Sequence, residues 1–162
     1  MEKGGWQLLG FIRKINDVSV VILFVAMTIT VLIQVFFRYV MQSPLRWTEE
    51  AARYLMIWLV LLGSGVAMRN KAHLQVDVLT SALPEKPKKF VNIIVSALVI
   101  AFLLIMTVYG FKVAMKTMFQ TSPAMRLPMS LIYAAFPVGG VLMIMEAGVS
   151  FVEMLKTKVS KC

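Results

Sequence analysis

Residues 18–37 read VSVVILFVAMTITVLIQVFF, twenty consecutive positions without a charged side chain. A hydrocarbon core about 30 Å thick is crossed by about 20 apolar residues rising 1.5 Å each, so this stretch alone can span a bilayer. Outward from it, 90–111 supplies twenty-two uncharged residues in which Asn92 is the one strongly polar side chain. The stretch 127–145 carries Pro128 near its start and Pro137 inside, which in a membrane helix reads as a kink and not a stop. The remaining apolar run, 54–68, is only fifteen residues, so its crossing starts near Trp47 and takes in Glu49, Glu50 and Arg53. The expected fold is all-α integral membrane: one domain over 1–162 with transmembrane helices at about 18–40, 47–68, 90–111 and 127–148.

Composition agrees. Of 162 residues 59% are hydrophobic and 15% charged, a balance suited to lipid and not to water. The first span is too long for a cleaved signal peptide and ends Val35-Phe36-Phe37-Arg38, so it reads as a retained anchor. Cys162 is the only cysteine, which excludes an intrachain disulfide and a cysteine-ligated metal centre. The net charge of +9 is dispersed over helix ends and loops without a compact basic stripe, which argues against nucleic acid. It matches instead the positive-inside bias and attraction to anionic headgroups of phospholipids.

With four spans the two termini share a side. Eleven lysines and arginines lie before the first span, between the second and third, and after the fourth; six lie on the other side. Both termini are therefore expected in the cytoplasm. Residues 5–17 fit an amphipathic helix with Leu8, Phe11, Ile12 and Ile15 on one face and Gln7, Gly10, Arg13, Lys14 and Asp17 on the other, expected to lie on the inner membrane surface. The 70–89 connection reads as an interfacial segment that ends in a Pro84-Glu85-Lys86-Pro87 turn.

The second helix has the start signal of Ser43 as N-cap with Pro44 in the first turn. Glu49 precedes Arg53 by four, the favourable order for an intrahelical ion pair, and Arg38 at the end of the first span can join Glu49 or Glu50. Intramembrane acids also mark proton and ion sites. The reading preferred for this cluster is a set of paired charges near the outer interface, holding the first two helices together or buried against a partner. Gly63 with Ala67, and Ala135 with Gly139, have the small-residue spacing of close helix packing. Trp6 and Trp47 suit interfacial anchors, and Trp58 lies deeper. His73 is the only histidine, which rules out a bis-histidine haem anchor; no catalytic constellation or phosphate-binding loop is present, and the thirteen methionines read as apolar filling. No enzyme activity and no cofactor are expected of this chain.

The central segment carries a family likeness. Phe37-Arg38-Tyr39, Pro44-Leu45-x-Trp47-x-Glu49-Glu50-Ala51-x-Arg53, Trp58, Gly63, Arg69 and His73-x-x-Val76-Asp77 resemble the DctQ-like small membrane subunit of tripartite ATP-independent periplasmic (TRAP) transporters. The match is strongest over 36–79; a glycine common before the histidine in this family is replaced here by the run 69–73, Arg-Asn-Lys-Ala-His. The resemblance implies a multi-pass protein of the bacterial inner membrane. A periplasmic binding protein would capture an organic anion, such as a C4-dicarboxylate or sialic acid, and a large permease subunit would carry substrate and sodium. The small subunit would brace that partner in sodium-driven uptake. By the same likeness Arg38, Trp47, Glu49, Glu50, Arg53 and Trp58 are expected at the structural or partner interface, and Gln42, Ser43, Arg46, Lys116, Gln120 and Arg126 at a docking surface for the binding protein. The alternative is a self-sufficient four-helix transporter acting as a homo-oligomer, against which stands the charge-free first span.

Overall fold

A computed structural model describes residues 2–69 and 85–156, with side chains over 7–69 and 91–151. The described chain is helical almost throughout, with α1 at Glu2–Tyr39, α2 at Arg46–Arg69, α3 at Glu85–Lys116, α4 at Met129–Tyr133 and α5 at Ala135–Lys156. Four segments are long and apolar enough to cross a membrane: Gln7–Tyr39, Arg46–Arg69, Val91–Lys116 and Met129–Phe151. The last combines α4 and α5, which meet at Ala134 just before Pro137; proline cannot donate the hydrogen bond that a continuous helix needs there. His73, Cys162 and most of the 70–89 connection lie outside the described residues, as does the side chain of Trp6.

Three helix boundaries differ from the sequence reading. The segment 5–17 is not a separate surface helix but the first part of α1, a rod of 38 residues that measures about 57 Å. Leu8, Phe11 and Ile15, expected to lie down on the membrane, point outward from the protein, and Arg13 and Asp17 turn toward the other helices. The reason is that charged partners wait there, on α2 and α5. The second difference is at the start of α2, which opens at Arg46 and not just after Ser43. The Ser43 amide is committed to closing α1: it donates to Phe37 O at 3.1 Å, while Val40 and Met41 both return to Phe36 O and Gln42 takes a left-handed conformation with φ 51°. Glu85 and Pro87, read as part of a turn, form the first turn of α3, where proline's missing donor costs nothing.

The helices pack in a row, α1 on α2, α2 on α5 and α5 on α3, so that α1 and α3 form its edges. Helix α5 is squeezed between its neighbours by glycine. A Cβ on Gly139 would come within 2.8 Å of Leu61 Cβ and 3.1 Å of Leu61 O on α2, and one on Gly140 would collide with Thr107 of α3. Gly110 of α3 gives the same close approach to Phe136, whose Cβ would lie 2.6 Å from an added methyl. Ala135 is fully buried, so the 135/139 spacing is an internal seam. Gly63, by contrast, faces open space and Ala67 is exposed. Leu103, Met143 and Ala147 make a small buried core between α3 and α5.

Candidate functional site

Many large apolar side chains of the row face outward. Val21, Ile22, Val25, Ile29 and Leu32 on α1, and Phe102, Ile105, Tyr109 and Phe111 on α3, are all exposed. In a lipid environment that is permitted, because the hydrocarbon is as apolar as the side chains. One face of the row also forms a trough of about 1020 Å³, whose lining includes Ile15, Trp58, Phe111, Pro137 and Leu142. Trp58 is half-buried at this wall.

The charged cluster expected around 49–53 is arranged differently from the sequence reading. Each carboxylate oxygen of Glu50 accepts a peptide N–H from the 117–128 loop, Oε1 from Ala124 at 3.1 Å and Oε2 from Met125 at 3.0 Å. Glu49 and Arg53 are exposed and do not pair with each other among the described residues. The physical reason is competition: two preformed amide donors fix Glu50 without immobilising a long arginine, and exposed charges keep their hydration at little cost. Arg38 rests over the Tyr39 ring at 5.9 Å and not on Glu49 or Glu50. Trp47 is exposed at the start of α2. Thr48 behind it is fully buried, its hydroxyl donating to Leu45 O at 2.7 Å.

The loop that Glu50 grips is itself tightly built. Ser122 is buried, its amide donating to Leu127 O at 2.9 Å and its hydroxyl accepting from the Leu127 amide at 3.3 Å. Met129 N donates to Gln120 O at 2.8 Å, Arg126 N returns to Ser122 O at 3.1 Å, and Arg126 adopts φ 55°. Glu50 thereby ties the α3–α4 loop to the start of α2. Gln42, Ser43 and Arg46 on one connection and Lys116, Gln120 and Arg126 on the other are all exposed at this same end of the row. Tyr54 adds a second tie, its hydroxyl 3.9 Å from Met129 Sδ.

At the opposite end lies a polar seam that sequence reasoning missed. Arg13 of α1 donates through Nε and Nη2 to the two carboxylate oxygens of Glu146 on α5, at 2.8 and 2.6 Å. Arg69 of α2 holds both carboxylate oxygens of Asp17 through Nη2, at 2.9 and 3.0 Å. Between the two pairs, buried Asn16 donates to Leu62 O at 3.2 Å. The signal was present: Arg13, Asn16 and Asp17 share one helical face, and Glu146 interrupts an apolar run near the end of the fourth span. Read by the soluble rule, polar residues face water; here they face one another. Among the described residues no three His, Cys, Asp or Glu side chains gather as a metal site.

Four apolar helices with charges confined to their ends define a multi-pass α-helical membrane protein. The family model of the DctQ component of tripartite ATP-independent periplasmic transporters matches residues 27–157, and the chain belongs to that family, placing it in the bacterial inner membrane. It is 32% identical over 133 residues to the sialic acid TRAP transporter permease protein SiaT of Haemophilus influenzae, covering 82% of this chain but 22% of that protein. It is 26% identical over 133 residues to the sialic acid TRAP transporter small permease protein SiaQ of Vibrio cholerae, covering 82% of this chain and 77% of the relative. With the C4-dicarboxylate TRAP transporter small permease protein DctQ of Rhodobacter capsulatus it shares 31% over 99 residues, 60% of this chain and 44% of the relative. The chain thus spans about a fifth of SiaT and three quarters of SiaQ. The family is one of transporter components, not of enzymes.

Proposed function

We propose that this chain is the small scaffold subunit of a TRAP transporter, both termini cytoplasmic, bracing a large permease subunit during sodium-driven, binding-protein-dependent uptake of an organic anion. A carboxylate such as a C4-dicarboxylate or sialic acid is the substrate class, by analogy with the named relatives. The observation that carries the reading is the open row of helices with its trough of about 1020 Å³, lined largely by apolar side chains and left open by the described residues. A match confined to 22% of the longer SiaT supports a partner of much greater size. Sodium and substrate belong to that partner.

In this reading Arg38, Trp47, Glu49, Glu50, Arg53 and Trp58 serve the bracing framework. Glu50 acts through the loop it holds, and Trp58 through the trough wall. The exposed rim of Gln42, Ser43, Arg46, Lys116, Gln120 and Arg126 docks the substrate-loaded binding protein from the periplasm. Phospholipid fills the rest of the exposed apolar surface. The test is uptake by cells that make the large permease and the binding protein with and without this chain. Loss of uptake without it, restored by supplying it, supports the role; undiminished uptake without it removes the role. Arg46→Ala with Arg126→Ala is expected to reduce uptake while the membrane complex still assembles, and unchanged uptake at low salt would remove the docking assignment.

A further inference from the structure

The loop that Glu50 grips also carries the most exposed large apolar side chain among the described residues. Phe119 is 95% exposed, against 71% for Tyr39, the next highest. The ring is not at a frayed tip. The Gln120 amide donates to Thr117 O at 3.1 Å, closing a turn in which Phe119 is the third residue, and the Thr117 hydroxyl donates to Val113 O of α3 at 2.9 Å. Beyond the turn, Thr121 pairs with Pro128, Met129 N donates to Gln120 O, and Glu50 binds the return limb at Ala124 and Met125. A stiff backbone thus holds out a ring that almost nothing in the chain covers, so the packing of the fold does not depend on it. The ring also lies outside the hydrocarbon, because the apolar run of α3 ends at Lys112 and Lys116 and Phe119 follows both. Phenylalanine lacks the polar tip that suits tryptophan and tyrosine to the headgroup region.

We propose that Phe119 is the apolar anchor by which the loaded binding protein docks, entering an apolar pocket on an acidic face of that partner; this rests on the docking reading above. Charge identifies the face. At this end of the row the described stretches 38–53 and 112–130 carry six cations, Arg38, Arg46, Arg53, Lys112, Lys116 and Arg126, against two acids, Glu49 and Glu50, and the Glu50 carboxylate is already taken up by two peptide donors. Cations on an interface rim steer the encounter and fix its orientation, whereas an aromatic side chain shut off from water at the centre supplies much of the binding energy. Preorganisation adds to this, because a loop already fixed by its turn and by Glu50 loses little freedom when the partner closes over it.

The test uses the complex of this chain with the large permease in phosphatidylcholine vesicles under an inward sodium gradient. The binding protein is purified from the native periplasm and recharged with a labelled form of the anion it carries, and uptake is measured against its concentration. Phe119→Ala is expected to raise the half-saturating concentration about tenfold or more, the scale of a buried aromatic anchor, with the maximal rate regained at saturation. Phe119→Leu, which keeps an apolar group, should fall between the two. A Phe119→Ala complex that saturates like the unmodified one, while Arg46→Ala with Arg126→Ala shifts the concentration upward, would overturn the anchor and leave the docking reading standing; the ring would then rest among headgroups. A lower maximal rate at unchanged half-saturation would overturn it also, because the ring would then act on turnover or assembly and not on docking. No shift in either variant would remove the docking reading and the anchor with it.

Discussion

Two acidic side chains adjacent in sequence, Glu49 and Glu50, have opposite fates, and the difference lies in what each can reach. Glu50 meets two peptide donors of a loop seventy-odd residues away, while Glu49 meets only solvent. Glu50→Gln keeps an acceptor for one amide and sets an NH₂ group against the other, so the loop should loosen. Hydrogen exchange at Ala124 and Met125 is expected to quicken in Glu50→Gln and to stay unchanged in Glu49→Gln; equal effects of the two would contradict the geometry. The two ion pairs at the other end differ in the same manner. The Glu146 side chain is 10% exposed and that of Asp17 is 43%. A double-mutant cycle on Arg13 and Glu146 should therefore give a coupling toward the upper part of the roughly 0.5–3 kcal/mol found for contacting residues. For Asp17 and Arg69, solvent screening should limit it to about 0.2–1 kcal/mol. Thermal unfolding of the four single and two double variants in lipid measures both.

At the scale of helices, the glycines of α5 decide how the row closes. Gly139→Val should force α2 and α5 apart and destabilise by about 1–3 kcal/mol, the usual cost of overpacking, whereas Gly63→Ala meets open space and should be neutral or slightly stabilising. A fall in the thermal midpoint for Gly63→Ala as large as that for Gly139→Val would show that the packing order is wrong. This contrast also marks where the sequence was legible. Four spans could be read from 18–37, 90–111 and their partners because an uncharged run of membrane length is a local property. Which faces meet could not be read, because nearly every position within a span is apolar and periodicity then selects no side. Gly63/Ala67 and Ala135/Gly139 have the same spacing, and among the described residues only the second pair packs within the chain. The polar face of 7–17 was visible, but its direction depended on Arg69 and Glu146, fifty and more residues away. Ser43 looked like a helix start for a different reason: its amide closes the end of α1 on Phe37 O, a local bond that apolar patterning does not report.

Taken whole, the molecule is a layer of helices fastened at both ends, by Glu50 and the 117–128 loop at one and by the Arg13–Glu146 and Asp17–Arg69 pairs at the other, with an apolar middle left largely uncovered. Fastened ends and an open face are what a rigid brace for a moving membrane partner requires, since the contact surface must keep its shape while the partner changes. The measurement that tests this most directly is purification of the tagged chain from its own membranes in mild detergent, with mass spectrometry and stoichiometry of what accompanies it. The account predicts a large polytopic permease at near one-to-one ratio. Recovery of the chain alone as a homo-oligomer would contradict it.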